Sequence, residues 1–89
     1  MKHEVRWKEP ALDRLTNAWL NADSASRQLI TAAANSIDER LERDPESEGE
    51  SREDQRRILF DFPLGVIFVV NSADRIVYIT QVWVVRRRS

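Results

Sequence analysis

The chain has 89 residues, 42% hydrophobic and 33% charged, with a formal net charge of −1. That length supports one domain, residues 1–89, with a modest core. Without cysteine there is no disulfide framework, thiolate nucleophile or cysteine-ligated zinc, and no apolar run approaches the roughly 20 residues that span a bilayer. No charged-then-apolar leader opens the sequence, so a cytoplasmic protein with no membrane partner is expected.

His3, Val5 and Trp7 alternate with Glu4, Arg6 and Lys8, which predicts a short strand with one buried side. Glu9-Pro10 then opens a helix, because proline is tolerated in a first helical turn. Leu12, Leu15, Trp19 and Ala22 lie on one stripe at helical spacing, and Trp7 and Trp19 read as core. Asp23-Ser24 supplies caps for a second helix from about Ala25 to Arg43. Ile30, Ala33, Ala34, Ile37 and Leu41 form its apolar stripe. Glu39 with Arg43 and Arg40 with Asp44 are four-residue surface pairs. A turn near Asn21–Ser24 makes the two helices an antiparallel hairpin.

Asp44 to Asp54 has loop composition, punctuated by Pro45 and Gly49, and reads as an exposed, mobile crossover. The stretch from Arg56 to Arg88 then carries three apolar runs. Pro63-Leu64-Gly65 breaks the first from the second, and Asn71-Ser72-Ala73-Asp74 the second from the third. Such runs predict a three-stranded antiparallel meander. The fold class is therefore α+β: a two-helix antiparallel hairpin on a small, mainly antiparallel sheet, in the order β-α-α-β-β-β.

Charge is unevenly spread. Residues 1–50 carry seven Lys/Arg against eleven Asp/Glu, whereas residues 51–89 carry seven arginines against four acids. The arginine fork suits phosphate or carboxylate, although solvated strand ends account for such residues equally well. Arg52, Arg56, Arg87 and Arg88 are the nucleic-acid-binding candidates. In a meander, Arg56/Arg57 and Arg86–Arg88 fall at opposite ends of the sheet. No dinucleotide loop, P-loop, metal-ligand cluster or Ser-His-Asp set is present, so no metal or cofactor is expected. His3, the one histidine, reads as a strand-end residue, and Tyr78 as a packed mid-strand tyrosine. Trp83 shares a face with Val77, Ile79 and Val85 if the register is unbroken. It then serves as core, stacking platform or partner-binding surface.

Taken together, the chain resembles the RelE/ParE toxins of bacterial type II toxin–antitoxin modules. The resemblance runs through Trp7, Ala11, Leu15, Ile37, Leu41, Pro45 and Gly49. It continues through Arg57-Ile58-Leu59, Pro63-Leu64-Gly65-Val66, Asp74-Arg75-Ile76-Val77-Tyr78-Ile79, Val82 and Arg86-Arg87. It implies either ribosome-dependent mRNA cleavage in the RelE manner or inhibition of DNA gyrase in the ParE manner. In both, a cognate antitoxin wraps the toxin. For cleavage it implies Arg57 and Arg86 as the catalytic candidates that stabilise phosphate charge, with Arg52 placing the phosphate. Val84 stands where many relatives carry histidine, and the one tyrosine, Tyr78, lies mid-strand. Two other classes stay open: an interaction module that kept the fold and lost the site, and a simple nucleic-acid-binding domain.

Overall fold

A computed structural model of the chain describes residues 2–51 and 55–86. Strand β1 (Glu4–Trp7) leads directly into helix α1 (Glu9–Leu20), and α2 (Ser24–Arg43) follows after a tight turn. A 3-10 turn, Pro45–Ser47, precedes the short strand β2 (Glu50–Ser51). Strands β3 (Arg56–Asp61), β4 (Leu64–Asn71) and β5 (Ile76–Val84) complete the sheet. Its order is β1-β5-β4-β3-β2, with β1 parallel to β5 and every other pairing antiparallel. The expected meander is present, and β1 and β2 extend it on either side. No helix of the described residues is long and apolar enough to cross a membrane.

Both helices cover one face of this sheet. Ala11 of α1 and Ile30, Ala33, Ile37 and Leu41 of α2 pack on Leu59, Leu64, Val66, Phe68, Val77, Ile79 and Val82. Each large side chain so buried contributes roughly 1.5–3 kcal/mol relative to exposure. The α2 stripe is the expected one. On α1 the buried side is rotated: Ala11, Leu15 and Ala18 face the core, whereas Leu12 and Trp19 are 48% and 39% exposed. Trp19 is therefore not core, and it has a different task. Its ring lies 4.4 Å under the Arg27 guanidinium, and its indole N–H donates to Thr31 Oγ1 at 3.2 Å. Arg27 also donates to the Trp19 and Leu20 carbonyls at 2.8 and 2.9 Å. Those are end-of-helix carbonyls, of which Trp19's also accepts from the Ala22 N–H at 3.2 Å, in a last turn that has no basic residue of its own. One arginine from α2 thus caps α1 and closes the hairpin. At the start of α2, the Asp23 carboxylate accepts from the Ser26 N–H at 2.8 Å, which lowers its pKa.

Over residues 44–51 the crossover is more tightly built than its composition suggests. Pro45 is buried, and Ser72 Oγ donates to Glu46 at 2.6 Å. Glu50 and Ser51 pair with Ile58 and Arg57 of β3. Gly49 reaches this pairing at φ +70°, with no room for a Cβ against the Ile58 carbonyl. The expected mobile crossover is, over residues 44–51, a strap laid along the sheet. Arg40 is also reassigned: it bonds Glu48 at 2.6 Å and Asp61 at 3.3 Å, not Asp44. The Glu48 bond raises its pKa.

Trp7 ties β1 to α2 by donating its indole N–H to Asp38 at 2.8 Å. Burial raises the Asp38 pKa, with the Trp7 bond opposing and Glu42 adding to the rise. The folded chain thus holds this proton more tightly than the unfolded chain, so stability falls as pH rises from the ordinary carboxylate range through the raised pKa. Asp38→Asn keeps an acceptor for Trp7 and removes the charge. Its melting temperature should equal or exceed the parent's at neutral pH, with the gap narrowing near pH 4, the ordinary carboxylate range. Asp38→Ala strands the indole N–H and should cost about 1–2 kcal/mol at either pH. Thermal melts at the two pH values check both. An Asp38→Asn gap that widens in acid would contradict the linkage.

Candidate functional site: the open sheet face

The face away from the helices is set by strand alternation. Leu59, Leu64, Val66, Phe68, Val77 and Ile79 point to the core, so their neighbours point outward. These are Arg56, Ile58 and Phe60 on β3, then Gly65, Ile67 and Val69 on β4, and Ile76 and Tyr78 on β5. Glu4 and Arg6 join them from β1. Between Ile67 and Phe68 of β4 the partner on β5 jumps from Gln81 to Ile79. Thr80 is the extra residue, and its hydroxyl donates to the Ile67 carbonyl at 3.3 Å. Such a bulge reverses the alternation beyond it. Val82 consequently enters the core at 2% exposure, and Trp83 turns to the open face. The condition of unbroken register fails, and Trp83 does not share a face with Val77 and Ile79.

Two rows of cross-strand neighbours give this face its chemistry. One row runs Arg6, Tyr78, Val69, Arg56. The Lys8 ammonium sits 4.6 Å from the Tyr78 ring centroid, and Arg6 is ion-paired to Glu4. Tyr78 is thus a half-buried platform beneath a cation. The second row is Trp83, Gly65, Phe60. The Trp83 ring lies directly over Gly65, where an added Cβ would meet it at 2.6–2.8 Å. Phe60 stands edge-on to that ring, 5.9 Å between centroids and 82° between planes, and is 57% exposed. Among the described residues no group of three His, Asp or Glu is placed to hold a metal ion.

The arginine candidates do not converge. Arg57 pairs with Phe68, which pairs with Ile79, and Arg86 lies seven residues further along the chain, just beyond β5. At ~3.3 Å per residue, less the bulge, that is roughly 20 Å. Arg57 is moreover already engaged. It donates to the Glu48 carbonyl at 2.9 Å, Ser51 Oγ at 2.9 Å and the Gly49 carbonyl at 3.4 Å, fastening the strap to β3. Arg86 is exposed at the other end, in a cleft lined by Ala18, Leu29, Phe62 and Val84. Leu29 and Phe62 are half exposed, so that cleft presents an apolar surface with one cation. Arg56 is exposed on the open face, and Arg52, Arg87 and Arg88 lie outside the described residues. Sequence reasoning missed Lys8 and Phe60. Their only signals were alternation parity in β1 and β3, which a core-centred reading treats as solvent positions.

No protein-family model matches the sequence, and no curated protein sequence matches it. Solved structures do match the fold. The RelBE2 toxin–antitoxin complex from Mycobacterium tuberculosis superposes with a TM-score of 0.76 at 15% identity, over 94% of this chain and 99% of that one. The isolated E. coli RelE toxin gives 0.62 at 16% identity, over 98% and 88%. The intact E. coli RelBE toxin–antitoxin complex gives 0.56 at 14% identity, over 96% and 99%. Two helices on the five-stranded mixed sheet are thus a RelE-like fold.

Arg57→Ala should cost about 1–3 kcal/mol, because it strands two carbonyls that a charged donor now satisfies. Lysine at this position should recover only part of that loss, lacking the fork. Arg56→Ala should stay within about 0.5 kcal/mol. Urea unfolding of the three variants decides. Equal, small losses for Arg57 and Arg56 would show that Arg57 does not hold the strap.

Proposed function

We propose that this chain is the toxin half of a toxin–antitoxin pair, held in check by a cognate antitoxin, and that its target is translation rather than DNA gyrase. The observation that carries the reading is the RelE-like fold, matched over nearly the whole of this chain and of the M. tuberculosis RelBE2 toxin–antitoxin component at a TM-score of 0.76. The open face supports the choice of target. Lys8, Arg56 and Tyr78 stand in and beside one row, which suits phosphate and base contacts of RNA. The half-exposed apolar residues around Arg86 and the helix hairpin suit an antitoxin that covers them with its own apolar side chains. If the chain cleaves mRNA, Arg86 remains available for charge stabilisation and Arg57 serves by holding the strap. Lys8 then joins Arg56, already a nucleic-acid-binding candidate, in the phosphate contacts.

A second reading, an interaction module without toxicity, draws on one observation. The guanidinium expected to stabilise phosphate charge, that of Arg57, is spent on loop carbonyls.

Regulated expression in a bacterial host separates these readings. Protein synthesis, followed by pulse labelling, should fall within minutes while DNA supercoiling stays unchanged. Co-expression of the cognate antitoxin should restore growth. Changed supercoiling would transfer the chain to the gyrase inhibitors, and normal growth would favour the non-toxic module.

A further inference from the structure

The Trp83–Phe60 pair is built, and no core requirement accounts for it. Phe60 sits on the face that no described helix covers, with more than half its surface in water. Trp83 reaches that face only because of the bulge at Thr80, and its ring lies flat only because residue 65 has no side chain. The result is a corner: an indole as floor, seated on backbone, and a phenyl ring standing at 82° as wall. A corner of this shape accepts a planar group face-down on the indole with one edge against the phenyl. Aromatic rings favour both contacts.

We propose that this corner is a stacking subsite for an unpaired nucleobase, and that the phosphates of the same strand run down the sheet toward Lys8 and Arg56. Charge selects this occupant. The row containing Val69 lies four residues from the row containing Gly65, roughly 13 Å along the strands. In and beside that row stand three cations, Arg6, Lys8 and Arg56. Among the described residues, the carboxylates on the same face are Glu4, which Arg6 occupies, and Glu50, opposite Ile58 on the edge strand. Aromatic platforms alternating with cations on an open sheet are how single strands are held without sequence reading. The inference deepens the reading of the open face as an RNA-contacting surface, and binding by the isolated chain tests it separately from toxicity.

The purified chain, free of partner, is titrated with oligonucleotides of about eight residues, within the roughly 4–16 that one platform covers. The set is oligo(A) and oligo(U) RNA, oligo(dT) DNA and an RNA duplex of equal length. Trp7 bonds α2 and Trp19 lies on α1, both away from the open face, and loss of the quench in Trp83→Leu assigns it to Trp83. Single strands should quench saturably and the duplex should not, with affinity falling as salt rises. RNA binding above DNA binding would show that the 2′-hydroxyl is also read, and equal binding that only base and phosphate are. Trp83→Leu should weaken binding, read by anisotropy of labelled strands, about 5- to 150-fold. Phe60→Leu should weaken it less and leave the melting temperature near the parent's. Because Phe60 is solvent-facing, that variant decides the matter even if Trp83→Leu fails to fold. Unchanged affinity in Phe60→Leu, equal binding of duplex, or no quenching by any strand would overturn the proposal. Growth arrest without oligonucleotide binding would overturn it too, and leave the toxin reading intact.

Discussion

One extra residue in β5 determines what the two faces of this sheet present. Up to Ile79 the strand buries odd-numbered residues; after Thr80 it buries Val82. Without the bulge, Trp83 would face the helices, where the space beside Ala11 and Ala18 suits small side chains. Val82 and Val84 would then line the open side. With it, the largest ring of the strand moves to the uncovered face, and a valine of suitable size closes the core. The cost is local, one disrupted ladder position offset in part by the Thr80 hydroxyl bonding the Ile67 carbonyl. Gly65 completes the arrangement, because only hydrogen at that position lets the indole lie on the strand.

The opposite edge is organised by arginines that satisfy backbone. Among the described residues β2 contributes two, too few to hold it on β3 by ladder bonds alone. Arg57 reaches back to two carbonyls and a hydroxyl of the strap, and Arg40 ties Glu48 to Asp61. Arg27 does the same for the end of α1. Three arginines that composition alone would assign to surface charge or ligand binding are thus spent on main-chain acceptors or buried-edge carboxylates. Arginine suits this because one planar head satisfies two or three acceptors at once, and a half-buried carbonyl left bare costs more than the bond returns.

The sequence made the architecture readable wherever period and burial coincide. The α2 stripe, the β1 alternation, the Pro63 and Asn71–Asp74 breaks and the helix boundaries all follow from local pattern. Pattern misled where two faces of one element were both apolar. On α1, Leu12 and Trp19 fit a helical stripe as well as Ala11, Leu15 and Ala18 do. Only close approach of the helix to β5 selects the small residues. On β5, Ile76 to Val85 is apolar on both sides apart from Thr80-Gln81, and a polar pair alone does not distinguish a bulge from an exposed strand position. The strap escaped notice because its anchors are polar: backbone, Ser51 and Glu48, rather than an apolar residue that a hydropathy reading detects. Pro45 alone is buried there.

These features bear on how a RelE-like fold can act through this chain. With Arg57 and Arg86 at opposite ends of the sheet, a single phosphate cannot be bracketed by both. The open face offers another arrangement: cations at one end, an aromatic corner at the other, and branched apolar side chains, Ile58, Ile67 and Val69, between them. Its strength lies in binding and orientation, since the groups best placed on it stack or carry charge. If RNA is cut while held there, the geometry must come largely from the target that presents it, with this chain supplying position and charge stabilisation. On the toxin reading proposed above, that division of labour makes the open face as a whole, rather than any one residue, the part that acts.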